Sequence, residues 1–243
     1  MHRFFVSPES ISDSRVSLEG GAAAQIARVL RGRPGDPIVV LDGSGMEYRV
    51  VLRSVSVEKV VGEVVDSGMC EGEPGVDVTL YQAIIKGDKF EYVLQKGTEL
   101  GVSAFAPIVC ERSIPNARRW GRGRYERWRT IAREAAEQSG RGRVPRIDAA
   151  IGFGEACEKH VGAGVVPWEM EKSYGLRQAL GQIKGRRIGI FVGPEGGLTS
   201  DEVGLATAKG IRPVTLGRRI LRAETASVAV VAAVMYELGE LGG

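Results

Sequence analysis

Apolar residues fall in two different rhythms along the chain. Up to about residue 70 the rhythm is that of strands. DPIVVL at 36–41, EYRVVLRSV at 47–55 and VEKVVGEVV at 57–65 are rich in β-branched residues, as half-buried strands require. DGSG at 42–45 separates the first two as a hairpin turn. One stretch, AAAQIARVL at 22–30, is spaced for a helix, and DSGMCEGEPG at 66–75 predicts a linker.

From Val76 onward strand and helix patterns alternate. VTLYQAII at 78–85 and FAPIV at 105–109 predict strands. Between them, residues 90–100 predict a helix with Phe90, Val93, Leu94, Gly97 and Leu100 on one face. A second helix is expected over 124–139, with Trp128, Ile131, Ala132, Ala135 and Ala136 inward and its arginines outward. Further strands are expected at 163–166, 187–192 and 212–216, before a closing helix over 224–238. Such alternation indicates an α/β domain with a largely parallel sheet.

Composition removes several chemistries. Only two histidines (His2 and His160) and three scattered cysteines (Cys70, Cys110 and Cys157) are present. No zinc site, disulfide framework or histidine-based nucleophile triad is expected from them. The longest apolar run, at 228–235, is too short for a bilayer. The N-terminus carries no export signal, so a reducing cytoplasm is the expected location. Charge is uneven. The window from Arg112 to Arg146 holds eleven arginines, three acids and no lysine, a balance of +8 against +3 for the whole chain. With Trp120, Tyr125 and Trp128 interleaved, this suits an RNA polyanion; the alternative is a solvated arginine-rich surface.

Two loops carry the remaining information. GPEGG at 193–197 follows the strand RIGIFV and precedes TSDE at 199–202, a hydroxyl cap followed by acids, which opens a helix. Neither a dinucleotide fingerprint nor a lysine-bearing phosphate loop is present. Glycines that expose backbone N–H and C=O groups fit a ligand without phosphate, such as S-adenosylmethionine. LGRRILRAETA at 216–226 likewise follows a strand and opens a helix. The two strands, taken as adjacent and parallel, would place both loops at one sheet edge, where open α/β sheets bind ligands. PWE at 167–169 would join them as a third loop.

These motifs, with EAAEQSGR at 134–141, KGTELGV at 96–102, MHRFFV at 1–6 and RGRPGD at 31–36, resemble the ribosomal RNA small subunit methyltransferase E family over nearly the whole chain. The resemblance implies a PUA-like β-barrel over 1–70 that helps hold RNA. It implies a SPOUT-type methyltransferase domain over 76–243, with a C-terminal trefoil knot, an obligate homodimer and S-adenosylmethionine as cofactor. No metal and no membrane are implied. The implied reaction is methylation of uridine N3 in 16S rRNA of the small ribosomal subunit.

Carried onto this sequence, the cofactor loops comprise Gly193, Pro194, Glu195, Gly196 and Gly197, then Leu216, Gly217, Ile220, Leu221, Arg222, Glu224, Thr225 and Ala226, with Pro167, Trp168 and Glu169 as the third. The uracil N3–H is a weakly acidic imide, so a cation beside the developing oxyanion would ease its loss. Lys96 is the first candidate, Arg141 the second, and Glu137 a candidate proton acceptor. Lys96 also has Glu99 within reach as an ordinary helix pair. RNA contacts are expected from Arg112, Arg118, Arg119, Trp120, Arg122 and Arg124, and from Arg3, Arg28, Arg31 and Arg33 of the barrel. The rival readings are a non-catalytic RNA-binding assembly factor and a methyltransferase acting on another RNA, such as transfer RNA.

Overall fold

A computed structural model describes residues 1–113 and 121–242. They form two compact units, one comprising 1–73 with 133–144, the other 74–132 with 145–243. The segment 133–144 belongs to the first unit, which local sequence pattern does not reveal.

The first unit is a six-stranded sheet. Its strands are β1 (Arg3–Phe5), β2 (Ile11–Ser12), β3 (Arg15–Glu19), β4 (Pro37–Leu41), β5 (Met46–Val55) and β6 (Lys59–Met69). Their order is β1-β4-β5-β6-β3-β2, with β1 and β4 parallel and every other pairing antiparallel. The helix α1 (Gly20–Ala24) continues into a π turn over Gln25–Val29. Period-2 alternation explains why β4 is apolar throughout. Ile38 and Val40 pack with Ile26 and Leu52, while Val39 and Leu41 face Phe5 and Ala136. Irregular register between β5 and β6 at Arg49/Val50 and Leu52/Ser54 bends the pair. There, a Cβ on Gly62 would stand 2.2 Å from Val50.

The second unit is a parallel sheet built from β7 (Asp77–Ala83), β8 (Ala104–Val109), β9 (Arg146–Ile147), β10 (Ile151–Gly152), β11 (Gly164–Pro167), β12 (Arg187–Val192) and β13 (Arg212–Val214). The order is β10-β8-β7-β12-β11-β13, with β9 also on β8. Helices α2 (Lys89–Glu99), α4 (Phe153–Lys159), α5 (Leu176–Leu180), α6 (Ser200–Ala208) and α7 (Ala223–Glu237) connect or follow the strands. The helix α3 (Arg122–Ser139) supplies its first part to this unit and its remainder to the first. Trp128 of α3 stacks on Phe90 of α2 at 4.4 Å between centroids.

One expectation is corrected here: β12 and β13 are not neighbours, because β11 lies between them. Strand order in a parallel sheet is set by the crossovers, which leave no local mark on the strands themselves. The start of α7 is fixed to β7 by a buried polar link, in which the Ser227 hydroxyl reaches Gln82 Oε1 and the Ala223 carbonyl oxygen. Among the described residues no helix is long and apolar enough to cross a membrane, and no group of acids, histidines and cysteines is arranged to hold a metal.

His160 packs in this unit's core, its Nδ1 2.9 Å from the Tyr81 hydroxyl and its Nε2 buried without a partner among the described residues. Burial first, and then the Arg187 charge, hold its pKa below the ordinary 6.5. Above 6.5 the imidazole is neutral folded or unfolded. As pH falls through that value the unfolded chain takes up its proton first, so stability is lost until the lower folded pKa is reached. The urea midpoint of this unit is expected to fall between about pH 7.5 and about pH 5.5, and to fall less in His160→Gln.

Candidate functional site

Four neighbouring strands, β7, β12, β11 and β13, end on one edge of the second unit's sheet, and the segments that follow them enclose a cavity of about 540 Å³. Lys89 opens α2, the helix that follows β7; residues 193–198 follow β12, 167–172 end and follow β11, and 215–223 follow β13. The volume suits a small organic ligand, and the position is where open α/β sheets bind one.

Local chemistry shapes each loop. After β12 the chain turns at Pro194, whose carbonyl accepts from Gly197 N at 2.9 Å. It then enters α6 through a capping box, in which Thr199 Oγ1 accepts from Glu202 N and Glu202 Oε2 accepts from Thr199 N. Glu202 also accepts Glu111 N at 2.8 Å through Oε1. Gly197 has φ +71°, and a Cβ there would stand 2.5 Å from Glu169 Oε1, so this glycine lets two loops touch. Glu195, the unexpected acid of the loop, accepts Lys86 N at 3.0 Å and so ties the end of β7 to the end of β12. Between the other two strands, Trp168 N donates to Val214 O at 3.0 Å.

The wall contains Pro167, Trp168, Glu169, Gly193, Pro194, Glu195, Gly196, Gly197, Leu216, Gly217, Ile220, Leu221, Arg222 and Ala226, all expected there. Glu224 and Thr225 are not among the wall residues. The Glu224 carboxylate instead pairs with Lys89, Nζ to Oε1 3.2 Å, and Thr225 is exposed on the first turn of α7. Lys89, Lys172, Leu198, Thr215 and the pair Arg218 and Arg219 also line the cavity, unpredicted by the sequence reading. LGRR carried a signal for the last two, since both arginines stand inside the quoted loop.

None of the catalytic candidates is a wall residue of this cavity. Lys96 is bonded to Glu99 through both carboxylate oxygens, at 2.8 and 3.0 Å, and is not a wall residue. Arg141 and Glu137 belong to the first unit. Arg141 is only 3% exposed and pairs with Glu73, Nη2 to Oε2 3.2 Å. Glu137 Oε1 accepts Phe5 N at 2.9 Å and lies 3.4 Å from Arg133 Nε.

Much of the arginine cluster is likewise engaged. Arg127 forms a two-pronged pair with Glu91, both bonds 2.7 Å. Arg143 binds Ser44 O, and Arg146 binds Asp148. Arg3 pairs with Glu47 at 2.7 Å. Arg122 is exposed beside Glu126, and Arg124 is exposed on the same helix. Arg28, Arg31 and Arg33 are exposed and without an ion pair among the described residues. Arg118, Arg119 and Trp120 lie outside the described residues.

Arg112 proves to be a loop residue of the cavity's outer shell: its Nη1 donates to Gly196 O at 2.9 Å, and its Cβ covers Gly196. Arg112→Ala is expected to weaken ligand binding in the cavity about two- to fivefold, the effect of one exposed hydrogen bond. Calorimetric titration without RNA separates this from a role in RNA binding.

A model of an RNA methyltransferase domain matches residues 72–235. The ribosomal RNA small subunit methyltransferase E of Bacillus subtilis is 35% identical, with 100% of this chain and 99% of that protein covered. The protein of the same name from Synechocystis is also 35% identical, over 95% of this chain and 76% of its own length. Among solved structures, a ribosomal RNA small subunit methyltransferase E from Neisseria gonorrhoeae bound to S-adenosyl methionine is similar, with a TM-score of 0.85, 35% identity and 97% of each chain covered. A matched domain over most of the chain and full-length relatives of one name agree: the chain belongs to the ribosomal RNA small subunit methyltransferase E family.

Proposed function

We propose that this chain methylates N3 of a uridine in the 16S RNA of the small ribosomal subunit, using S-adenosylmethionine. The observation that carries the reading is the cavity at four carboxyl-end loops, in a chain whose relative of similar fold holds that cofactor. The residues present fit it. Glycines 193, 196, 197 and 217 leave backbone groups accessible, Trp168, Leu198, Leu216 and Leu221 offer apolar surface for an adenine, and Glu169 and Glu195 place carboxylates near a cationic ligand. The cofactor supplies the methyl group as an electrophile already activated on sulfur. The protein's work is then to bind, orient and exclude water.

The finer architecture is part of the same proposal. The first unit's sheet serves as a PUA-like barrel, with Arg28, Arg31 and Arg33 available to phosphates and Arg122 and Arg124 on α3 contributing. The C-terminal segment forms a knot. In support, the chain leaves β13 at the sheet edge and returns past β11 to pack α7 on β12 and α2. Ile220 and Tyr236, exposed at 85% and 62%, suit burial against a second copy. The enzyme would work in the cytoplasm, beside its subunit substrate.

Transfer of labelled methyl groups to unmodified small subunits, large subunits and transfer RNA tests the substrate class. Label in the small subunit alone is expected; equal label in all three would refute it. Arginines that contact phosphate also require that binding weaken steeply with salt.

A further inference from the structure

We propose that Lys89 is the catalytic cation of this enzyme, bearing on a uracil carbonyl oxygen as N3 loses its proton, and that Glu224 positions it. The inference deepens the reading of uridine N3 as the acceptor and rests on it.

Lys89 is the first residue of α2, the helix that follows β7, and among the described residues it is the one wall residue that this segment contributes. It therefore reaches the cavity from a segment separate from the three cofactor loops. Its ammonium is fixed, 3.2 Å from Glu224 Oε1, with the two side chains 36% and 15% exposed. The remaining cations of the wall are placed differently. Lys172 is turned onto the Glu169 carbonyl, and Arg218, Arg219 and Arg222 are exposed on their loop. Lys96, the sequence candidate, is held by Glu99 away from the wall.

Glu224 is suited to hold a partner. It sits in the first turn of α7, where backbone N–H groups favour a carboxylate. Burial opposes its charge, but its own backbone N–H and Lys89 outweigh burial and hold its pKa below the ordinary range. Its second oxygen, Oε2, is buried without a partner among the described residues. Lys89 is thus the side chain hydrogen-bonded to this carboxylate, with the Arg222 charge adding to the compensation, and a fixed negative charge behind a lysine keeps its ammonium in one place.

The chemistry needs such a cation. The N3–H proton leaves to water, and the electron pair left behind spreads over N3 and the two carbonyl oxygens. N3 then forms its bond to the methyl carbon as the carbon–sulfur bond breaks, and that bond's pair returns to sulfur. A preorganised ammonium at one carbonyl oxygen lowers the cost of the charge as it develops, and needs no proton transfer of its own.

The test compares Lys89→Gln, Lys89→Arg and Glu224→Gln with the wild-type chain. Methyl transfer to small subunits is followed at saturating S-adenosylmethionine, and cofactor affinity is measured by calorimetry. Lys89→Gln should lower kcat about 10²-fold, as loss of one oxyanion donor does, while cofactor affinity is retained. Lys89→Arg should recover part of the rate, and Glu224→Gln should lower kcat by less than Lys89→Gln. Subunits carrying 5-fluorouridine, whose imide is more acidic, should shrink the Lys89→Gln deficit; a merely structural defect would leave that ratio unchanged. Wild-type rates in Lys89→Gln, or loss of cofactor binding with no shrinkage on the fluorinated substrate, would overturn the assignment. A wild-type enzyme that methylates a position other than N3 would instead overturn the acceptor on which the inference rests.

Discussion

Arg141→Ala is expected to destabilise the first unit by about 3–5 kcal/mol, the usual result of stripping one partner from a buried ion pair. Arg141 is 3% exposed and Glu73 15%, and two guanidinium contacts of 3.2 and 3.3 Å join them. Glu73 Oε1 also accepts Arg143 N at 2.9 Å, so the pair anchors the return of the chain after α3. Without the guanidinium, Glu73 keeps that backbone donor alone among the described residues. For a unit of this size the loss corresponds to a fall in Tm of about 12–40 °C by calorimetry. Replacing both residues by methionine should recover much of it, because desolvation of the ions is then avoided as well. A catalytic Arg141 would behave oppositely, with methyl transfer lost at an unchanged Tm.

Gly197→Val is expected to lower S-adenosylmethionine affinity at least tenfold, about 1.4 kcal/mol, while leaving the second unit folded. A β-branched residue at φ +71° is an outlier, with a strain of about 1–3 kcal/mol. Its Cβ would also meet Glu169 Oε1 at 2.5 Å, so the loops after β11 and β12 cannot both keep their places. The damage is confined to the sheet edge, since the core under it (Phe191, Leu198 and Val203) is untouched. Gly204→Ala on α6 is the control: a Cβ there meets nothing within 4 Å, and affinity should not change. Equal affinities for Gly197→Val and wild type, measured by calorimetry, would mean that the ligand binds elsewhere.

The parts of the site legible in the sequence are those written in local chemistry. The RIGIFV strand, the GPEGG turn and the TSDE cap are consecutive, and each has its own physical signal. PWE was the least distinctive loop, yet it belongs to β11, the strand between the other two. Its position depends on crossovers, which no short stretch records.

Partnerships were less legible than positions. The arginines from 112 to 146 could be counted in the sequence, but Glu91, Glu73 and the Ser44 carbonyl, which occupy Arg127, Arg141 and Arg143, are distant along the chain. A charge count reports the cations and not who compensates them. Lys89 escaped notice for the same reason. As the first residue of a helix it looks ordinary, and only the fold brings Glu224 of α7 to it. Lys96 was the more visible lysine because it lies inside a family motif, and there the local pairing with Glu99 prevails.

The most direct measurement is the identity of the methylated nucleoside. Purified protein is incubated with labelled S-adenosylmethionine and unmodified small subunits, and the RNA is digested and separated by mass spectrometry. Label in 3-methyluridine, at a single site of 16S RNA, is the expected result. Label in a base methylated on carbon, or on a ribose hydroxyl, would contradict uridine N3 as the acceptor.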